Sequence, residues 1–445
     1  MPFKKVIVIN RGEIAARIIK SLNAIGIPSV AIYSEADAGA PYLDEAGESY
    51  LVGGPRVQDS YLNQDALLAI IRKTGADAVH PGYGFFAENP VFASRIESMG
   101  LCFIGPSARW IEDMSYKDRA RELISRNGLP IMAGSRILDG TSADLIAEAH
   151  RIGFPVLVKP VAGGGGIGMF VVQDDETLLE KVETARTRAS RSFANADVYL
   201  EKYLEQPRHI EFQILADKSG QVRHFFERDC SIQRRYQKLI EESPAPFVNR
   251  EQISAVAENI CNVLINMGYD NIGTMEMLKG QDDTFNFLEM NTRLQVEHGV
   301  TEAVTGVDLV ALQILSAAGR RLNEILPETV SCKGHAIEAR VYAEDPDRFL
   351  PSIGRLTVFR PPRSDGIRVD TGFKEGLSVT PFYDPLVAKV IAHGESRDQA
   401  RKSLVDALSH FDIEGIKTNI PALIKVLNHQ DFIEGKVHTR LLDQI

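Results

Sequence analysis

The chain begins with an alternation that narrows its fold more than any other feature. An apolar, β-branched run, Val6 to Ile9, is followed by Ile14, Ile18, Ile19 and Leu22 at helical spacing from about Gly12, and then by a second strand-like run, Ser29 to Tyr33. Strand, helix and strand in that order make a βαβ start, and hence a parallel sheet. A further unit follows, with a helix near Ala66 to Lys73, a strand at Ala76 to Val79 and the turn-rich His80-Pro81-Gly82-Tyr83-Gly84. Residues 1–115 therefore read as one α/β domain.

From about Ile152 the texture changes. Val156 to Lys159 and Met169 to Val172 flank a glycine run like the arms of a hairpin, and an acidic helix start follows at Asp174 and Asp175. After a helical stretch, Leu309 to Ala318, the strands His335 to Tyr342 and Val387 to His393 and the helix Arg397 to Leu408 imply a smaller α+β closing domain. The chain of 445 residues is too long for one small core, and the expected division of this α/β and α+β multidomain protein is 1–115, 116–325 and 326–445. A net charge of −10 argues against a general nucleic-acid binder, so any anion site must be local. Cys102, Cys230, Cys261 and Cys332 lie far apart and form neither a CxxC pair nor a disulfide framework, which favours a reducing compartment. The residues ahead of the first strand are too few for a signal segment and no apolar run approaches membrane-spanning length, so a cytoplasmic protein with no membrane segment is expected.

The loop Asn10-Arg11-Gly12-Glu13 leaves a strand and opens a helix, a place where backbone amides can receive an anion. With one glycine in place of three it is not the dinucleotide fingerprint, and a domain-packing turn is the simpler reading, although Glu35 does end the next strand. The run Gly163-Gly164-Gly165-Gly166-Ile167-Gly168 has a backbone stripped of side chains that can fold over phosphate oxygens, and Lys159 ends the strand before it as a point charge. It lacks the GKS/T ending of a P-loop, and its plain alternative is a flexible linker. Glu201-Lys202-Tyr203-Leu204 is equally an ordinary strand end or an edge that offers backbone hydrogen bonds to an adenine.

Within Arg208 to Leu215, period-two alternation puts Ile210, Phe212 and Ile214 on one face and His209, Glu211 and Gln213 on the other. A solvated face is the commoner explanation, but Glu227 to Ser231 and Gln233 to Lys238 follow one strand later with cations suited to an ATP γ-phosphate. The firmest feature is the strand pair Gly273 to Leu278 and Phe285 to Asn291, joined by a turn and so antiparallel. Alternation places Phe285, Phe287, Glu289 and Asn291 on one face, with Glu276 within diagonal reach of Glu289. Two carboxylates and an amide oxygen make a hard-cation site that suits Mg²⁺. Immediately after, Arg293-Leu294-Gln295-Val296-Glu297-His298 offers an arginine fork for a small carboxylate-like anion and a glutamate as base, and Arg340 shares a strand face with Glu338. Taken singly, each is as readily a structural ion pair.

Taken in order, Asn10 to Ala15, His80 to Phe85 with Glu88-Asn89, the glycine loop, Glu201 to Leu204, Glu227 to Ser231 and Glu289 to His298 make the chain resemble a biotin carboxylase from Val6 to at least Asn419. The resemblance implies an N-terminal parallel-sheet pre-ATP-grasp domain, a central ATP-grasp domain with a mobile glycine-rich lid at about 130–204, and a C-terminal α+β biotin carboxylase domain. It implies that Lys117 and Lys159 bind the nucleotide phosphates, that Gly165 and Gly166 lie in the lid, and that Glu201, Lys202, Tyr203 and Leu204 hold adenine. His209, Gln233 and Tyr236 would lie beside the nucleotide, and Glu276, Glu289 and Asn291 would ligate Mg²⁺ or Mn²⁺, two ions with ATP. Bicarbonate would rest against Lys238, Arg293, Gln295, Val296 and Glu297, with Glu297 as the base and Arg340 steadying the ureido oxygen of biotin.

The implied activity is ATP- and bicarbonate-dependent carboxylation of biotin through carboxyphosphate, the first half-reaction of a biotin-dependent carboxylase. The chain ends at Ile445 without a Met-Lys-Met biotinylation signature, so biotin is expected on a separate carrier protein or domain, with carboxyltransferase subunits and a second copy of the chain as further partners. The pattern is departed from at Ile167, where the family carries an arginine, at Ala162, where it has a further glycine, and at Tyr236, where a histidine is usual; these bear on ATP affinity. A different ATP-grasp ligase, joining a carboxylate to an amine, would share the lid, Lys159 and the metal strands but has no need of Arg293 to Glu297 or of Arg340. A nucleotide-binding regulatory subunit with decayed catalysis would not need the acidic and basic set intact.

Overall fold

Strands β1 (Val6–Val8), β2 (Ser29–Ser34), β3 (Glu48–Gly53), β4 (Ala78–His80) and β5 (Cys102–Phe103) form a parallel sheet in the order β3-β2-β1-β4-β5. Period-two alternation divides β1 between two cores, as a parallel sheet covered on both faces requires. Val6 and Val8 pack with Ile14, Ile18 and Leu22 of the helix Gly12–Ala24, while Ile7 packs with Leu67, Leu68 and Ile71 of the helix Gln64–Thr74. That second helix starts where the Asn63 side chain accepts the Ala66 amide hydrogen and stops at Gly75, which takes the left-handed φ of 66°. This computed structural model describes residues 3–138, 141–161, 168–193 and 195–445.

Next come β6 (Val156–Pro160), β7 (Phe170–Val172) and β8 (Val198–Lys202), an antiparallel sheet in the order β7-β6-β8. The helices Ser142–Ile152 and Asp175–Phe193 cover it through Leu145, Ala149, Leu178 and Val182. Ala162, Gly165, Gly166 and Ile167 fall in the β6–β7 connection, outside the described residues.

Strands β9 (Arg208–Ala216), β10 (Val222–Arg234), β11 (Gln237–Ser243), β12 (Asn271–Lys279), β13 (Phe285–Asn291) and β14 (His335–Tyr342) carry the site. Beyond them lie β15 (Gly354–Arg355), β16 (Val358–Arg360), β17 (Ile367–Thr371), β18 (Ser378–Val379), β19 (Leu386–Gly394) and β20 (Asp412–Glu414). The order β13-β12-β9-β10-β11-β14-β19-β17 makes one eight-stranded sheet that crosses the expected 325/326 division without a break. Backbone pairing of Ile240 with Ala339 and of Glu241 with Glu338 joins the two parts. One face of the sheet packs Ile210, Phe212, Met275 and Met277 on Ile253, Ala257, Ile260 and Leu264 of the helix Arg250–Met267.

The hairpin of β12 and β13 corrects two expectations. Glu276 lies directly opposite Glu289, not diagonal to it, and the register shifts between Glu276/Glu289 and Met277/Phe287, leaving Leu288 as an extra, bulged residue. The bulge moves the strand from one facing to the other. Phe285 and Phe287 join the apolar core with Met275 and Met277, whereas Glu289 and Asn291 fall on the face of Glu276 and Thr274. Among the described residues no single helix is long and apolar enough to cross a membrane.

Candidate active site

On the sheet face opposite the helix Arg250–Met267, register alone gathers ionisable groups. Arg228 of β10 faces Glu211 of β9, Glu211 faces Glu276 of β12, and Glu276 faces Glu289 of β13. Lys238 of β11 pairs with Gln233 of β10, and Arg340 of β14 pairs with Lys389 of β19. From the end of β13, Thr292 to Val296 lead to Glu297, the N-cap position of the helix His298–Thr305. The Glu297 side chain makes no capping hydrogen bond, so its carboxylate is available to the site.

Lys238 is the hub. Its Nζ donates to Glu211 Oε2 at 2.6 Å, to Glu276 Oε1 at 2.9 Å and to Glu297 Oε1 at 2.6 Å. Burial disfavours the charged ammonium, but the carboxylates of Glu211, Glu276 and Glu297 outweigh it and raise the lysine well above its usual range. Glu297 receives Arg340 Nη2 on its other oxygen at 2.9 Å. Burial raises the Glu297 carboxyl, yet Lys238, Arg340 and Arg228 prevail and hold it well below the ordinary carboxylate range. Arg340 Nε also sits 2.6 Å from Glu241 Oε1, an ion contact whose angles fall short of a hydrogen bond. Burial, partly opposed by Arg340, lifts Glu241 to about 7. Arg228, fully buried, donates to Glu211 Oε1 at 2.5 Å, to Gln213 Oε1 at 2.8 Å and to Thr301 Oγ1 at 3.0 Å.

Arg293 is a second centre. It donates to Glu88 Oε2 at 2.7 Å, to Gln295 Oε1 at 2.8 Å and to Asn291 Oδ1 at 2.8 Å. Gln295 Nε2 and Asn291 Nδ2 both donate to Glu276 Oε1 at 2.9 Å. His209 Nε2 lies 3.0 Å from Glu276 Oε2, and Gln233 Nε2 lies 2.8 Å from His209 Nδ1. Lys238, Glu276, Glu297, Arg340, Arg293, Gln295, Asn291, His209 and Gln233 thus form one continuous network. Val296 enters it by its backbone, its carbonyl accepting from Lys389 Nζ at 2.5 Å.

Of the residues assigned to nucleotide, His209 and Gln233 belong to this network, and the others lie apart from Lys238. Lys159 donates to Glu201 Oε2 at 2.7 Å, and Arg121 binds the other oxygen, so Glu201 is a buried counter-ion to two cations. Lys117 lines a cavity of about 240 Å³ with Glu88, Glu289 and Asn291. Burial lowers its pKa, against the pull of Glu289. Lys202 instead spends its ammonium on the Gly153 and Phe154 carbonyls at 2.9 and 2.8 Å. Tyr203 accepts at its hydroxyl from Arg440 Nη1 at 3.2 Å, and Leu204 is half-buried. Tyr236 stands exposed in the β10–β11 turn with φ of 67°.

A divalent cation fits best at the Glu276–Glu289 pair. The trio His209, Glu211, Glu276 and the trio Glu211, Cys230, Glu297 also bring ligand atoms together, but in each the Lys238 ammonium is bonded to both carboxylates, whereas of the Glu276–Glu289 pair it holds Glu276 alone. Glu289 has no ion-pair partner within 4.0 Å among the described residues, and burial with the neighbouring Glu276 charge raises its pKa. A hard cation held by Glu276, Glu289 and the Asn291 oxygen would relieve that repulsion. Glu211, Arg121, Glu241 and Lys389 were not foreseen as parts of the site, and Arg228, expected among the cations for a γ-phosphate, is instead buried against Glu211. For Glu211 a signal existed, since it shares the alternating face of His209 and Gln213.

This arrangement can be set beside known proteins. The profile of the biotin carboxylase N-terminal domain matches residues 2–111, that of the carbamoyl-phosphate synthase L chain ATP-binding domain matches 116–325, and that of the biotin carboxylase C-terminal domain matches 338–444. Biotin carboxylase 2 of Bacillus subtilis is 46% identical over 442 residues, covering 99% of both chains. A crystal structure of a Campylobacter jejuni biotin carboxylase–β,γ-ATP complex superposes with a TM-score of 0.95 at 38% identity, over 100% of this chain and 99% of that one. The biotin carboxylase domain dimer of Hydrogenobacter thermophilus 2-oxoglutarate carboxylase, in complex with MgADP, ADP and bicarbonate, gives 0.94 at 43% identity, over 99% and 97%. With three successive domain matches and a relative of this identity along nearly its whole length, the chain belongs to the biotin carboxylase family.

Proposed function

We propose that the protein carboxylates biotin at the expense of ATP, taking the carbon from bicarbonate, with the biotin carried on a separate protein or domain. The observation that carries this reading is the Glu297 carboxylate, fixed between Lys238 and Arg340 beside Arg293. That is a base flanked by cations suited to an anionic substrate and an anionic product.

Bicarbonate binds against Lys238, Arg293, Gln295, Val296 and Glu297. Glu297 is ionised throughout the working pH range because its two cations hold it so. When bicarbonate competes for Lys238, that cation binds Glu297 less tightly and the carboxylate becomes a better proton acceptor. The deprotonated bicarbonate oxygen attacks the γ-phosphorus, the bond to the ADP oxygen breaks, and carboxyphosphate forms. Lys117 and Lys159 offset the charge of the phosphates, while Glu201 to Leu204, His209, Gln233 and Tyr236 border the nucleotide; Gly165 and Gly166, its further proposed contacts, lie outside the described residues. Glu276, Glu289 and Asn291 would hold Mg²⁺ or Mn²⁺, whose chemistry is to neutralise charge on the transferring phosphoryl group. Carboxyphosphate splits into CO₂ and phosphate, the phosphate takes the ureido proton of biotin, and the ureido nitrogen attacks CO₂. Arg340 steadies the negative ureido oxygen during that step.

We retain the division 1–115, 116–325 and 326–445, a homodimer, a biotin carrier and carboxyltransferase subunits as partners, and a cytoplasmic location as parts of this proposal. Its test is steady-state ADP release by the purified chain with Mg²⁺, varying bicarbonate and free biotin independently. ADP release that requires bicarbonate and is stimulated by biotin is expected. A folded, nucleotide-binding preparation whose ADP release ignores both would overturn the proposal.

A further inference from the structure

The segment Gln295–Glu297 is held from beneath by two buried side chains. The Val296 carbonyl accepts from Lys389 Nζ at 2.5 Å, and the Gln295 carbonyl lies 2.8 Å from His298 Nδ1. A carbonyl only accepts, so the histidine proton is on Nδ1. In a planar trans peptide, the N–H of the following residue points opposite to the carbonyl. With both carbonyls turned toward buried groups, the Val296 and Glu297 amides point the other way. Among the described residues neither amide hydrogen meets an acceptor.

Lys389 is an odd residue for its place. It is 0% exposed on β19, between the buried, apolar Val387, Ala388, Val390 and Ile391. Its counter-charges, Glu13 at 3.7 Å and Asp370 at 3.9 Å, both stand beyond hydrogen-bond distance. Its ammonium therefore makes its short contact with Val296, and Glu13, in the first turn of the helix Gly12–Ala24, supplies charge balance from the N-terminal part. An apolar side chain would suit the strand and leave the Val296 carbonyl without this donor.

We propose that Lys389 is a positioning residue for carboxylation: by holding the Val296 carbonyl it aims the Glu297 amide and carboxylate at bicarbonate, an inference that rests on the bicarbonate reading above. Glu13 and Asp370 keep the ammonium charged and in place from two different domains.

The test compares the wild-type chain with Lys389→Met, measuring kcat, the KM values for ATP and bicarbonate, nucleotide affinity and the unfolding midpoint. Expected is a rise in the bicarbonate KM, and a fall in kcat, of about tenfold to a hundredfold, with the KM and affinity for ATP unchanged. Lys389→Arg, which keeps a donor, is expected to recover part of the loss. A purely structural lysine would lower the unfolding midpoint and the active fraction but leave the bicarbonate KM alone. That result, beside bicarbonate-dependent turnover by the wild type, overturns the proposal and leaves the proposed function standing. Absence of bicarbonate-dependent turnover in the wild type overturns both. If Lys389→Met does not fold, Glu13→Gln and Asp370→Asn, which remove the charges that hold the ammonium, take its place: a raised bicarbonate KM supports the role, and an unchanged one overturns it.

Discussion

Glu297 shows how few residues define the chemistry and how strongly they depend on one another. Its two oxygens are bonded to Lys238 and Arg340, and neither cation is near the sequence segment that carries the glutamate. Glu297→Gln keeps the shape and removes the base, so nucleotide affinity should persist while kcat falls by about a hundredfold or more, as read from nucleotide titration and steady-state turnover. Arg228 makes a different demand. It is fully buried against Glu211, Gln213 and Thr301, so Arg228→Met strips Glu211 Oε1 of its donor and leaves the buried carboxylate with Lys238 alone on its other oxygen. The expected cost is about 3–5 kcal/mol, visible as a lowered denaturant midpoint in an otherwise folded protein.

Among the elements, the helix His298–Thr305 presents Glu297 at its start, and its approach to β14 and β19 is fixed by Gly299. A Cβ there would lie 2.4 Å from Ile391 Cδ1 and 3.0 Å from Glu338 Oε2. Gly299→Ala should therefore push the helix off the sheet and destabilise the protein by about 1–3 kcal/mol, with turnover falling further than stability alone explains. On the other side of the sheet, Glu242 of β11 accepts from Arg397 and lies 2.7 Å from His335 Nε2. Burial raises this carboxyl, but Arg397 and His335 overcome it and hold it at about 2, against an ordinary value of 4.5. A depressed carboxyl stabilises the fold above its unfolded pKa and loses that contribution as pH falls through its folded one. The window is thus from about 4.5 down to about 2, and the contribution is on the order of 3 kcal/mol. Acid unfolding curves should show this loss in the wild type and lack it in Glu242→Gln.

Local periodicity carried much of this into the sequence. His209, Glu211 and Gln213 declare their shared face by alternation, and the turn between β12 and β13 declares the hairpin. What stayed hidden needed register or distance. Nothing in Phe285-Asn286-Phe287-Leu288-Glu289 marks Leu288 as bulged, because the bulge is set by pairing with β12. Arg228 reads as part of a surface-like charged run until β10 is paired with β9. Lys389 sits in an apolar strand whose partner, Val296, is remote in sequence.

For the whole molecule, the eight-stranded sheet unites the central and closing parts, so Lys238, Arg340 and the Glu276–Glu289 pair share one sheet, to which the Glu297 carboxylate is bonded from the start of its helix. Lys159 and Glu201 lie on the separate sheet of β6 to β8. In the proposed reaction, bicarbonate chemistry belongs to the large sheet and nucleotide capture is shared with the small one. Carboxyphosphate is the claim on which the rest depends, and the fate of a bicarbonate oxygen tests it most directly. When ATP turns over with bicarbonate bearing heavy oxygen, phosphate mass spectrometry should find one heavy oxygen per inorganic phosphate released. Phosphate whose new oxygen comes only from water would contradict it.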